Sequence, residues 1–452
     1  LYKLQGLPFR LTLWKGTATG SETMFTDDFV RELSFYLDYK SVLRLATTNG
    51  TMNEMMKRNV MRINSPYLPI FGSYVSLKKA VFDSKDPVEH LPPRVTDLEM
   101  SGNVMDDVVR IPKTVRKLKI SSAADNVNDF GDALPESLTY LDVWRLTSTN
   151  HLKKLKDLET LIIYTLPRED DGSFYIPPTL TRLELTGSQS PNGDATGEIW
   201  SKLPATLTEL TMVNCDGELR IRELPRNLTS LSISGAGSNI SRDDCFNEGL
   251  TSLLLNVNFD GETNMKLFPS TLTSLKIWSG RSSVITDIMI PRNVTNFHVD
   301  CLVKKHGQRL ALPEGLKRLK ISSIYSRENA DWDPKYLPRG LRKISSLRHT
   351  IDFSSRTITS FPRTLTKIED VNFIHHYAID FSSFTSLHTM KNVRFFGNYS
   401  VVFPKSLTRL ECDEILMNWK LPDLKILSVE HSFFVRPVES MASFRSLNIL
   451  PK

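Results

Sequence analysis

The stretch IPPTLTRLEL, residues 176–185, decides the architecture of this chain. Leu183 and Leu185 alternate with Arg182 and Glu184, the period-two pattern of a strand with one face buried. Ahead of the strand, Leu180 follows Pro177 by three residues. The same phrase, an apolar residue, Pro, two variable residues, then Leu-Thr-x-Leu-x-apolar, recurs along the chain. It reads LPPRVTDLEM from Leu91, IPKTVRKLKI from Ile111, LPESLTYLDV from Leu134, LPATLTELTM from Leu203 and LPRNLTSLSI from Leu224. Further copies are FPSTLTSLKI, IPRNVTNFHV, LPEGLKRLKI, LPRGLRKISS, FPRTLTKIED and FPKSLTRLEC. Taking the residue before the Thr position as a marker, the series runs from Val95 through Leu180, Leu272 and Leu365 to Leu447. About seventeen copies at a period of about 22 residues are the mark of a stacked repeat array.

Each strand is too short to bury its apolar face alone, so neighbouring copies must stack into a parallel sheet over one continuous core. Proline stands three residues upstream of the marker, where its missing N–H removes no ladder bond. About a dozen residues per copy remain to return the chain, too few for a full crossover helix with its turns. The return arm is therefore expected to be extended or a single 3₁₀-like turn. The predicted fold is a leucine-rich-repeat solenoid over residues 91–452, a parallel β-sheet horseshoe with a thin, mostly irregular convex side. The Thr after the marker is expected to bond to neighbouring Thr residues or to backbone along the stack.

Composition fits this reading. Of 452 residues 40% are hydrophobic and 24% charged, which excludes a disordered or fibrous chain. Cys215, Cys245, Cys301 and Cys412 have no short spacing, so neither a disulfide scaffold nor a cysteine zinc module is expected. No run of about 18 apolar residues is present, and no membrane association is expected. With 57 Lys+Arg against 51 Asp+Glu the net charge is +6, too weak a bias to demand a nucleic acid. The 24 prolines fall mostly one per repeat.

The phrase Pro-x-x-Leu-Thr-x-Leu-x-Leu at this spacing resembles the FNIP-type leucine-rich repeat found in slime moulds and giant viruses. Its Phe-Asn-x-Pro signature is present in degenerate form, as in Phe246-Asn-Glu-Gly. Bacterial effector leucine-rich repeats are the near neighbour, with a shorter period.

Upstream, Phe25, Phe29, Val30, Leu33 and Leu37 recur at helical spacing, and Thr26 or Asp27 can cap that helix. A second short helix is predicted from Ser41 through Val42, Leu43 and Leu45 to Thr47, and a third over 52–61. Residues 24–64 thus resemble an F-box. The resemblance implies that Phe25, Asp27, Phe29, Val30, Leu33, Tyr36, Leu37, Val42, Leu43 and Leu45 dock a Skp-type adaptor of a cullin ligase core. The alternative is a plain helical cap on the first strand. Residues 65–90 are expected to connect head and array. Residues 1–23 are basic and Ser/Thr-bearing, as in a leader or a cloning remnant, and enter no fold argument.

The sequence has no Gly-x-Ser-x-Gly, no phosphate-cradling glycine loop and no His-Glu-x-x-His, and no enzyme, cofactor or metal is expected. His375 and His376 are adjacent, so on a strand they point to opposite faces. Asn227 and Asn293 lie in sequons that belong to the repeat phrase itself. Function is therefore expected on the open face of the sheet, at positions two, four and six after each marker. There Tyr140, Trp144, Tyr164, Arg182, Lys276, Trp278, His298, Arg318 and Lys320 are the candidate target-binding residues. Mixed signs along these positions favour a protein target, of unknown identity, over a phosphate backbone. The sequence-based reading is an intracellular, cytoplasmic or nuclear substrate receptor of an SCF-type ubiquitin ligase. A structural repeat protein of a virion or other assembly is the second reading, and a ribonucleoprotein scaffold the third.

Overall fold

A computed structural model describes residues 62–64, 79–83, 95–101, 111–121, 134–146, 148–165, 175–186, 200–214, 221–239, 245–258, 267–278, 289–303, 311–325, 337–346, 350–352, 360–374, 378–396, 400–413, 419, 421–429 and 446–449. The F-box-like residues Phe25 to Leu45, the leader 1–23 and the pair His375-His376 lie outside the described residues. The chain forms two compact units, Leu1–Ser188 and Gln189–Lys452.

In the first unit the strands are β1 (Arg62–Asn64), β2 (Lys79–Asp83), β3 (Asp97–Ser101), β4 (Lys117–Ser121), β5 (Tyr140–Arg145), β6 (Thr160–Thr165) and β7 (Arg182–Thr186). Each pairs in parallel with the next. β1 and β2 precede the first proline phrase yet hold the same register, Arg62 beside Lys79 and Lys79 beside Asp97. Val60 and Leu77 stand where markers would in the sequence, without the upstream proline that makes later copies conspicuous.

The second unit continues with β8 (Glu209–Val213), β9 (Ser230–Asn239), β10 (Ser252–Asn258), β11 (Ser274–Trp278), β12 (Asn296–Val303), β13 (Arg318–Tyr325), β14 (Lys343–Ser346), β15 (Thr350–Asp352), β16 (Lys367–Glu369) and β17 (Asn372–Ile374). It closes with β18 (Ile379–Asp380), β19 (Thr389–Phe396), β20 (Val401–Val402), β21 (Arg409–Cys412), β22 (Ile426–Val429) and β23 (Ser446–Ile449). The main ladder runs in parallel through β8 to β14, then β16, β19, β21, β22 and β23.

Sequence explains the strands one position at a time. Markers go inward: Leu180, Leu272 and Leu365 are each 0% exposed. The residues three and five further on follow them, as Leu275 and Ile277 do at 0%. Burying such a side chain stabilises by roughly 1.5–3 kcal/mol. The marker's N–H donates to the proline carbonyl three residues back, for example Leu207 to Pro204 at 3.1 Å and Leu316 to Pro313 at 3.0 Å. Proline thus opens a β-turn, a place that asks nothing of its nitrogen. Copies without proline make the same bond, Leu250 to the Asn247 carbonyl at 3.2 Å and Leu387 to the Phe384 carbonyl at 3.1 Å.

Two further ladders run along the stack. The carbonyl of Thr251 accepts the N–H groups of Thr273 (2.9 Å) and Ser274 (3.1 Å) from the next repeat. The Thr273 hydroxyl donates to that same oxygen at 3.1 Å. The repeating Thr therefore bonds to backbone, as Thr229, Thr251, Thr366 and Thr408 also do. One turn earlier, the residue before the marker donates to the preceding repeat: Thr179 to the Leu158 carbonyl and Thr271 to the Leu250 carbonyl, both at 2.8 Å. Asn227 and Asn293 replace the hydroxyl with an amide, reaching the Ala205 and Ser270 carbonyls at 2.8 Å. Their Nδ2 atoms are thus structural donors.

The return arms are mostly irregular, with 3₁₀ turns at Thr149–Lys154 and Ile221–Glu223 and helical residues at 200–202. They are richer late in the chain than the sequence suggests. β15, β17 and the end of β19 form a second parallel ladder, and β18 pairs with β20. Asp370 and Asn392 make the corner between the two ladders in left-handed conformation, φ 54° and 49°. Asn and Asp tolerate this region better than other side chains. The Asn392 amide donates to the Asp370 carboxylate at 2.8 Å, so one corner steadies the next. Between the ladders Phe373 stacks on Phe395 at 5.1 Å and meets Phe381 edge-on at 5.4 Å, and Trp419 closes against Phe395 at 5.0 Å.

Leu272→Ala is expected to cost about 2–5 kcal/mol. Amide hydrogen exchange should accelerate first in β10 and β11, because a stacked array depends on nearest-neighbour contacts. Thr271→Val should cost about 1 kcal/mol in chemical denaturation by removing the turn donor alone.

Candidate protein-binding face

The register turns the open face into rows. In the first unit Lys117, Tyr140, Thr160 and Arg182 stand side by side, and Glu99, Lys119, Asp142, Ile162 and Glu184 form the next row. Trp144 and Tyr164 lie directly across from each other beyond them. Their rings stack, with centroids 5.3 Å apart and planes at 16°. Trp144 remains 42% exposed, among the most exposed large apolar side chains described. Stacked aromatic pairs of this kind contribute about 0.5–1.5 kcal/mol beyond their buried area.

Asp142 is 3% exposed although it lies on the open side of the sheet. The Tyr140 hydroxyl donates to its Oδ2 at 3.4 Å, and the Lys119 ammonium stands 3.7 Å from the same atom. Burial pushes the Asp142 carboxyl up, and the Lys119 charge only partly opposes it. Tyr140 is pushed up to about 12, by burial first and then by the Asp142 charge. Tyr164 is raised too, by burial and then by Asp142 and Glu184. Arg182 lies 3.8 Å from Glu184 on the same strand. The first unit therefore carries a compact patch in which an aromatic step borders a nearly covered carboxylate.

The second unit carries a different group. Lys276 is exposed on β11, beside His298 on β12, which stands beside Lys320 on β13. Trp278 sits diagonally across from His298; the rings meet edge-on at 5.6 Å, and the indole N–H points at the imidazole Nε2 at 3.5 Å. His298 is 9% exposed. Arg318 projects from β13 two residues before Lys320 and is exposed.

The sequence-predicted target residues thus fall into two groups, one in each unit: Tyr140, Trp144, Tyr164 and Arg182, then Lys276, Trp278, His298, Arg318 and Lys320. Further along, Glu369 ion-pairs with Lys343 and Lys367 from the strands on which they sit. Burial pushes the Glu369 carboxyl up, but hydrogen bonds from the two ammonium groups reverse that and leave it below the usual carboxylate value. Applying the two-and-four rule to markers Leu341 and Leu365 would have found this cluster. Among the described residues no group of three or more His, Cys, Asp or Glu is placed to hold a metal, and no helix is long and apolar enough to cross a membrane.

No family model and no curated protein matches the chain. Among solved structures it is similar to CroV588, a giant-virus protein described as a novel circular leucine-rich-repeat structure, at TM-score 0.55 and 18% identity over 87% of this chain. The chain spans 64% of the length of CroV588. It also aligns with YopM from Yersinia enterocolitica WA-314 at TM-score 0.37 and 16% identity, over 78% of this chain and 87% of YopM. The fold is that of a leucine-rich-repeat solenoid, as the repeat phrase, the parallel ladders and the CroV588 likeness agree.

Asp142 yields a pH test. Folding raises its pKa, so the native state holds the proton more tightly than the unfolded chain. The stabilising effect of protonation is present in acid and lost as pH rises through the raised value. Asp142→Asn keeps an acceptor for the Tyr140 hydroxyl and should melt higher than the parent at about pH 7, with the gap closing near pH 3. Asp142→Ala should lose about 1 kcal/mol or more at both pH values, because Tyr140 is left without its acceptor.

Proposed function

We propose that this chain is a non-enzymatic protein-interaction scaffold whose open sheet face captures a target protein. The observation that carries the reading is the Trp144–Tyr164 stack, left exposed where a monomeric protein ordinarily covers such rings. Large aromatics in a patch with a satisfied polar neighbour are the side chains that dominate protein interfaces. Fold alone does not select a partner.

The finer role we propose is substrate recognition for a cullin-RING ubiquitin ligase. The F-box-like pattern at residues 24–64 supports it, with the adaptor taken by Phe25, Phe29, Leu33, Leu37 and Leu43 and the target by the repeats. The FNIP-like phrase adds support, since it supplies an array suited to holding a target beside the head. Such a role places the chain inside the cell, in cytoplasm or nucleus.

Affinity purification of the full chain with quantitative mass spectrometry tests both levels. A Skp-type adaptor should be recovered with the parent and with Trp144→Ala/Tyr164→Ala alike. The target should fall by at least about tenfold in the double variant, as expected when hot-spot residues are truncated. Absence of the adaptor sinks the ligase role. Stoichiometric recovery with a particle would replace it by the assembly reading.

A further inference from the structure

Most described cations on the open face have a carboxylate. Lys117 meets Asp97, Lys119 meets Asp142, Arg182 meets Glu184, Lys343 and Lys367 share Glu369, and Arg409 meets Glu411. Lys391, elsewhere in the row, stands beside Glu369 in register. Lys391 apart, the exceptions cluster. Lys276, Arg318 and Lys320 join no ion pair among the described residues, and they surround His298 and Trp278. The sequences of β11, β12 and β13 contain a single carboxylate, Asp300. On the neighbouring β9 and β10 the open-face rows hold Ser230, Ser232, Ser252 and Leu254, all uncharged.

We propose that the open face of β11 to β13 docks an acidic segment of a protein partner, with Lys276, Lys320 and Arg318 receiving its Asp or Glu carboxylates and Trp278 an apolar side chain beside them. This deepens the interaction-scaffold reading and rests on it. Charge left unpaired on a surface where other cations are paired marks where complementary charge is to arrive. The spacing selects the class of partner. Lys276 and Lys320 lie on strands two apart, about 10 Å at ordinary strand separation, with His298 between them. Cations so spread suit separate carboxylates along a peptide, whereas one phosphate group wants donors that converge. The planar fork of Arg318 matches a carboxylate in bidentate fashion. A nucleic acid would need a long unbroken basic track, whereas the row of Lys276 and Lys320 ends at Leu254 on one side and at Ser345 and Glu369 on the other, and the Lys343 and Lys367 that continue the Arg318 row are both ion-paired with Glu369.

The test is fluorescence anisotropy of the full chain with a fluorescein-labelled octaglutamate peptide, run beside a labelled single-stranded RNA of similar charge. Expected are saturable peptide binding that weakens between about 50 and 200 mM salt, and a loss of roughly tenfold in Lys276→Gln/Lys320→Gln. Lys276→Glu/Lys320→Glu should abolish it, while Lys156→Gln, on an exposed return arm, leaves it unchanged. Circular dichroism melts confirm that each variant is folded, and the neutral pair keeps the test valid if charge reversal is not tolerated. Peptide binding indifferent to the Gln pair, no peptide binding, or tighter RNA binding through the same residues would each overturn the proposal. The scaffold reading fails separately, when the parent chain captures no protein at all.

Discussion

A single backbone carbonyl per repeat, that of the residue after the marker, takes two N–H groups and often a hydroxyl from the following repeat. Everything else in the array depends on that bond set. It fixes the register of each strand against the next to within one residue, and a one-residue slip would send every core leucine outward. It also lets strands of three to ten residues exist at all, because none could hold its geometry without its neighbours. The turn donors before the marker, hydroxyl in most copies and amide at Asn227 and Asn293, hold the same register from the other end of the proline turn.

With register fixed, chemistry divides cleanly between the two sides of each strand. Inward positions form an apolar column that contributes most of the stability and says nothing about a partner. Outward positions contribute little to stability and are free to specialise. The first unit uses them for an aromatic step beside Asp142, and the second for a group of cations around His298 and Trp278. Glu369 shows the opposite choice, one carboxylate engaging two ammonium groups within the sheet itself.

The repeat, its parallel strands and its burial pattern were legible because spacing alone carries them: leucine at fixed intervals needs no three-dimensional knowledge. The aromatic neighbours Trp144 and Tyr164, and Trp278 and His298, were legible for the same reason, once each marker numbered its own strand. Three features were not. β1 and β2 lack the proline that announces a copy, and Leu77 stands only 18 residues before Val95, short of the usual period. The late second ladder depends on left-handed corners at Asp370 and Asn392, and an Asp or Asn in a loop does not reveal its φ. Finally, the near-complete covering of Asp142 arises from side chains of three strands at once, which no pattern within one strand reports.

The turn donors have a consequence for how such a chain changes length. Among the described residues, successive repeats present the same backbone carbonyl on one edge and the same pair of N–H groups on the other, and many add a Ser, Thr or Asn side-chain donor at the turn. A whole repeat gained or lost therefore leaves no orphaned hydrogen-bonding group at the new junction. The molecule can be lengthened or shortened only in increments of one strand spacing, about 4.8 Å. Each increment moves the surface residues beyond it by that step without altering any of them, so the distance between two contact groups is a counted quantity, set by the number of turns between them.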